Sequence, residues 1–238
     1  MLAPILGTFL VVQQVPCAPD AMRLLSEASL RASRFNLPAA VDSLRDAPNC
    51  EGAIVAAWYL QGLLDARAAA SVGGTAESLA PVRKAIAVLE ELGRKGSAPP
   101  EIARLVLHAA AAAAQTERDE MRLYLESASQ LELVQESAGL AGAPIITAVE
   151  MTGALWLQVD RYEEARRAYE EAARRHGATS RIVLGAARAS ARLGDTASAC
   201  AEYRKLLDGW GSSDMEPPEI VEAHAHLARP ECRPPTTP

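Results

Sequence analysis

The stretches AVEMTGALWLQVDRYEEARRAYEEAARRHG (residues 148–177) and IVLGAARASARLGDTASACAEYRKLLDGWG (residues 182–211) decide how this chain is read. They start 34 residues apart, and at that offset Gly153 falls on Ala187, Asp160 on Gly194, Ala165 on Ala199, Tyr169 on Tyr203 and Ala172 on Leu206. Small residues recur where two helices of a hairpin must touch. An aromatic recurs where the second helix fills the gap to the next hairpin. A fixed period of this length marks units that cannot bury an apolar face alone and must stack.

The rest of the 238 residues agrees with helices. Aromatics make up only 4 %, alanine is clustered (residues 109–114 are all alanine), and runs rich in Val, Ile, Thr and Tyr are nearly absent. That composition disfavours sandwiches, barrels and doubly wound sheets. Glycine and proline punctuation predicts helices over about 20–34, 38–47, 51–71, 76–94, 100–117, 119–138, 145–159, 162–176, 180–193, 196–209 and 218–228. In the third, Ile54, Val55, Trp58, Leu60, Leu63 and Leu64 make a wide stripe; in the fourth, Leu79, Val82, Ile86, Leu89 and Leu92 share a face.

Residues 145–211 resemble two tetratricopeptide repeats. The resemblance is carried by the small residue within each first helix (Gly153, Ala187), Trp156, the D-R-Y-E-E-A turn ending at Ala165, Tyr169 and Ala172. In the second copy Ser190 replaces the aromatic and Leu206 the last alanine. Upstream, helix pairs begin near Glu51, Pro100 and Ile145, spacings of 49 and 45 residues, so that half resembles the family only as stacked hairpins with lengthened helices. Trp210, Asp214 and Pro218 are similar to the ends of such arrays, and the amphipathic helix at 220–227 is placed to cap the last repeat. The resemblance implies an all-α, right-handed stack of antiparallel helix hairpins, an α-solenoid.

The domain organisation expected is a signal peptide over 1–18, a domain of long helical hairpins over 20–140, two repeat units with a capping helix over 141–228, and a disordered proline-rich tail over 229–238. Leu2 to Val12 form an apolar run of signal length, although no Lys or Arg precedes it and Val15 to Ala18 match a cleavage site loosely. A buried first helix and lipid attachment at Cys17 are the alternatives. A signal implies a periplasmic or secreted protein; without one, the chain is cytoplasmic. The four cysteines, Cys17, Cys50, Cys200 and Cys232, include no C-x-x-C pair and no Cys/His cluster at metal spacing along the chain. In an exported chain Cys200 with Cys232 is the natural disulfide; otherwise these are free buried thiols.

No nucleotide, hydrolase or metalloprotease motif occurs. His108, His176, His224 and His226 read as surface or capping groups, and the last two point to opposite sides of a helix. Glu163–Arg167, Glu170–Arg174 and Glu171–Arg175 read as i,i+4 pairs. The expectation is therefore no enzyme, no metal and no cofactor. The net charge of −6 speaks against nucleic acid, and the apolar run is too short to hold the mature chain in a membrane. Charge is segregated: 120–160 carries six acids and one base, 161–205 ten bases and six acids, 206–238 six acids and two bases. This is either a solvated face or a basic binding region. Arg181, Arg188 and Arg192, spaced by seven and four, share one side of a helix. In the family that side lines the groove, which makes them candidate peptide-binding residues for an acidic partner, although Glu150 and Ala154 stand in the first unit. The function expected is a non-catalytic scaffold that binds a peptide or protein segment. An accessory or self-assembling factor of the bacterial envelope or secretion is the alternative. An all-α enzyme comes third, because inward carboxylates or histidines are not evident.

Overall fold

The computed structural model describes residues 17–45, 50–94, 96–140, 142, 145–211 and 216–232. Eleven α-helices follow one another, with no strand among the described residues: α1 (Pro19–Ser33), α2 (Leu37–Arg45), α3 (Glu51–Ser71), α4 (Ala80–Gly93), α5 (Ala98–Ala114), α6 (Arg118–Ser137), α7 (Ala148–Gln158), α8 (Tyr162–His176), α9 (Ser180–Leu193), α10 (Thr196–Trp210) and α11 (Pro218–Leu227). A short 3-10 turn spans Pro230–Cys232. None of the described helices is long and apolar enough to cross a membrane.

One backbone device organises these helices into pairs. The cap of α9 and the residue after the cap of α1, α3, α5 and α7 have a positive φ: Gly194 (78°), Phe35 (61°), Gly73 (83°), Thr116 (63°) and Asp160 (62°). In each case the next amide donates back to a carbonyl five residues earlier. Asn36 donates to Arg31, Gly74 to Ala69, Glu117 to Ala112, Arg161 to Trp156 and Asp195 to Ser190, at 2.9–3.0 Å. This closure satisfies the last carbonyls of the helix and reverses the chain. Asp160 and Gly194, aligned at the 34-residue offset, thus share a conformation that aspartate adopts more readily than most side chains. The pairs are α1/α2, α3/α4, α5/α6, α7/α8 and α9/α10, and each also packs against its neighbour along the chain.

Small side chains set the spacing. A Cβ on Gly62 of α3 would meet Leu107 Cδ1 of α5 at 2.5 Å, so those helices approach as closely as glycine allows. Tyr59, fully buried in α3, donates its hydroxyl to the Ile146 carbonyl at 3.1 Å, tying α3 to the entry of α7. Tyr169 of α8 lies between two glycines, Gly153 of α7 and Gly185 of α9, with Ala165 and Ala172 buried beside it. Helix α4 begins at Ala80, not near 76, because Thr75 caps a turn through Ser78 before the helix starts. The first hairpin also reaches the far end of the chain. Phe35 stacks on Trp210 with ring centroids 5.5 Å apart, and Arg34 lies 5.7 Å from the same ring.

Cys17, placed within the expected leader, is bonded to Cys50 across a separation of 33 residues, fastening the start of α1 to the start of α3. Residues 1–16 of that leader lie outside the described residues, as does Asp214. The tail expected from 229 begins ordered. Cys232 is buried, bonded to Cys200 of α10 across 32 residues, and its carbonyl accepts from Arg204. The bond and this contact hold 229–232 against α10; residues 233–238 lie outside the described residues.

Candidate functional site

A groove of about 640 Å³ is lined by residues of α7, α8, α9, α10 and α11. The end of α7 and its turn supply Leu157 and Asp160, and α8 adds Tyr162. From α9 come Arg188, Ala191 and Arg192. Tyr203 of α10 forms the floor, while Glu222, Ala225 and His226 of α11 and the following Arg229 form the opposite wall.

The three arginines expected at the site do share one side of α9, but they do different things. Arg181 does not line the groove. Its guanidinium pairs with Glu150 of α7 at 2.6 and 3.1 Å and donates to the Ile145 carbonyl at 3.4 Å. Both members of this pair are largely buried, with side-chain exposures of 15 % and 8 %. Arg188 reaches the groove and is paired there: Nε and Nη2 approach Glu222 at 3.0 and 2.6 Å, and the Tyr203 hydroxyl donates to the same carboxylate at 2.7 Å. Burial would raise the Glu222 pKa, but the bonds from Arg188 and Tyr203 outweigh it and hold the carboxyl below its ordinary value. Arg192 is exposed and stands 5.9 Å from the Tyr162 ring, whose hydroxyl donates to Asp160 at 2.6 Å. The exposed Arg229 adds a third cation, from the segment whose composition reads as a tail.

Burial of carboxylates corrects a further expectation. Glu132, fully buried in α6, accepts from Ala148 N at 2.9 Å and from Val149 N at 3.4 Å, and so caps the N-terminus of α7. Negative charge is favourable there because the first amides of a helix have no partner within it. Inward carboxylates therefore exist, and Glu132 and Glu150 both serve packing. The surface pairs also shift: Arg166 bonds Glu163 and Arg174 bonds Glu171 one turn back, while Arg175 crosses to Glu136 of α6 at 2.6 Å. Together with Arg181–Glu150 and Arg188–Glu222, this cross-helix pair shows where the segregated charge goes. The basic island reaches across helix interfaces to its acidic flanks.

Two clusters bring possible metal ligands together in space, although nothing along the chain shows them. In Glu132, Glu136 and His176 the ligand atoms lie within 4.8 Å of one another. There, however, the α7 amides occupy one carboxylate and Arg175 the other. In Cys200, His226 and Cys232 all three residues are buried and the ligand atoms again lie within 4.8 Å. The His226 ring packs on Tyr203 at 4.4 Å, and its Nε2 is buried without a hydrogen-bond partner. Burial, and then the Arg229 charge, lower its pKa below the ordinary imidazole value.

Compared with models of known protein families, with curated proteins and with solved structures, the chain gives no match.

Proposed function

We propose that this chain is a non-catalytic interaction scaffold, a right-handed solenoid of tetratricopeptide-like hairpins acting in the periplasm or outside the cell, which holds an acidic peptide or protein segment in the groove between α7, α9 and α11. The observation that carries the reading is the lining of that groove: Arg192 and Arg229 are exposed cations without a carboxylate partner among the described residues, set beside the aromatic rings of Tyr162 and Tyr203. Guanidinium groups suit bidentate capture of carboxylates, and aromatic faces supply apolar contact at low entropic cost. The 34-residue recurrence and the shared turn geometry support the repeat assignment. Two disulfides fit an oxidising compartment.

The test is titration of labelled Asp/Glu-rich peptides, with neutral and Lys-rich peptides alongside, read by fluorescence anisotropy. Acidic peptides bind preferentially, and binding weakens as salt rises. Arg192→Glu with Arg229→Glu lowers the affinity at least tenfold while helical circular dichroism is retained. Arg188 is a poorer probe, since its loss also frees Glu222. Equal binding of the three peptide classes, or an unaffected double variant, rejects the reading.

The self-assembly reading draws on one feature, the exposed Leu123, Leu133 and Val134 of α6. Sedimentation would show a concentration-dependent dimer that Leu123→Glu with Val134→Glu disperses.

A further inference from the structure

We propose that reduction of the Cys200–Cys232 disulfide creates a binding site for a soft d10 cation of the zinc class, held by the two thiolates and the His226 imidazole. The site would exist whatever the groove binds.

The argument begins with the histidine. A buried imidazole ordinarily finds a partner for each polar nitrogen. His226 Nε2 has none, although the residue is only 7 % exposed and its ring packs on Tyr203. A ring nitrogen of His226 and both sulfurs lie within 4.8 Å of one another. Zinc takes sulfur at about 2.3 Å and imidazole nitrogen at about 2.0–2.1 Å, so two sulfurs on one tetrahedral ion stand roughly 3.8 Å apart. The cysteine Cα atoms are 5.5 Å apart, so rotation of two short side chains after reduction is enough to open that gap. His226 comes from α11, Cys200 from α10 and Cys232 from the turn that follows α11.

Charge balance favours a dication. Two thiolates carry −2 and a neutral imidazole carries nothing, so bound Zn²⁺ leaves the buried set uncharged and avoids the desolvation penalty of an unpaired ion. The other disulfide provides a contrast: among the described residues no third ligand accompanies Cys17 and Cys50.

The step balances with a dithiol reductant. The dithiol gives two electrons and two protons to the disulfide and closes into its own disulfide, leaving two protein thiols. Zn²⁺ then displaces the two thiol protons to solvent as the Zn–S bonds form.

The experiment uses the full chain, reduced with dithiothreitol, freed of it under anaerobic conditions, and titrated with Co²⁺ and then Zn²⁺. One equivalent of Co²⁺ gives a thiolate-to-cobalt charge-transfer band that Zn²⁺ abolishes, and the oxidised chain gives no band. Cys200→Ser with Cys232→Ser removes the band, and His226→Ala weakens Zn²⁺ binding at least tenfold against a chromogenic chelator. X-ray absorption at the zinc edge of the loaded, reduced parent shows two sulfurs and an imidazole, a readout that does not depend on any variant folding. No band from the reduced parent, an unweakened His226→Ala protein, or a four-sulfur shell overturns the proposal.

Discussion

Gly185→Ala reverses the ordinary sign of a glycine replacement in a helix. In the middle of α9, alanine would normally add about 1 kcal/mol of stability by helix propensity. Here an ideal Cβ would sit 2.5 Å from Tyr169 Cε2 and closer still to Cζ and Cε1. The ring has no room to retreat, because a Cβ at Gly153 on its other side would already be 2.9 Å from Cδ1 and Cδ2. Overpacking of this kind costs roughly 1–3 kcal/mol, and a ring trapped on both faces belongs at the upper end. Subtracting the propensity gain leaves a net loss of about 2 kcal/mol, a fall in Tm of about 4–8 °C for a chain of this size. Thermal and urea melts followed by circular dichroism measure it. The decisive comparison is the same substitution beside Tyr169→Ala, itself worth about 3–5 kcal/mol as a cavity. With the ring gone, Gly185→Ala recovers its normal sign and stabilises. Stabilisation of the parent, or an equal effect in both backgrounds, refutes the packing argument.

Arg181→Ala leaves Glu150 buried and unpaired and costs about 3 kcal/mol in urea melts, whereas Arg181→Met with Glu150→Leu recovers most of it. Reduction of both disulfides, which close separations of 33 and 32 residues, removes roughly 3–4 kcal/mol each; calorimetry of the reduced chain measures the loss. His108, stacked on Tyr124 with Arg104 at 3.1 Å, has its pKa lowered by burial and then by that arginine. A group depressed in the folded state gives its full stability above the unfolded value of about 6.5 and loses it as pH falls further. Tm therefore drops from pH 7.5 to 5, and His108→Gln flattens that part of the profile.

Most of the helical layout was legible, because Gly and Pro mark helix ends through backbone conformation, which is a local property. Where the same conformation falls on Phe35 or Thr116, composition gives no sign of it, and the helix pairing of the first half was read only coarsely. The arginine stripe was legible from spacing alone. What the arginines do was not, since Glu150 and Glu222 lie 31 and 34 residues from their partners and are chosen by the stacking of successive hairpins. Glu132 looked like one more acid on an acidic surface, and only the approach of the α7 amides accounts for its burial. Likewise, Cys200, His226 and Cys232 have no meaningful spacing until α11 folds back on α10.

A row of hairpins touching only neighbours behaves as a spring: each interface yields slightly, and the mouth of any groove along the row widens and narrows. In this chain Phe35 stacks on Trp210, so the turn after α1 touches the end of α10. Small rotations at successive interfaces must then cancel around a closed circuit of contacts instead of accumulating. The pair lies outside the groove lining, so Phe35→Ala tests this coupling: faster amide exchange along α7, α9 and α11 is the expected outcome.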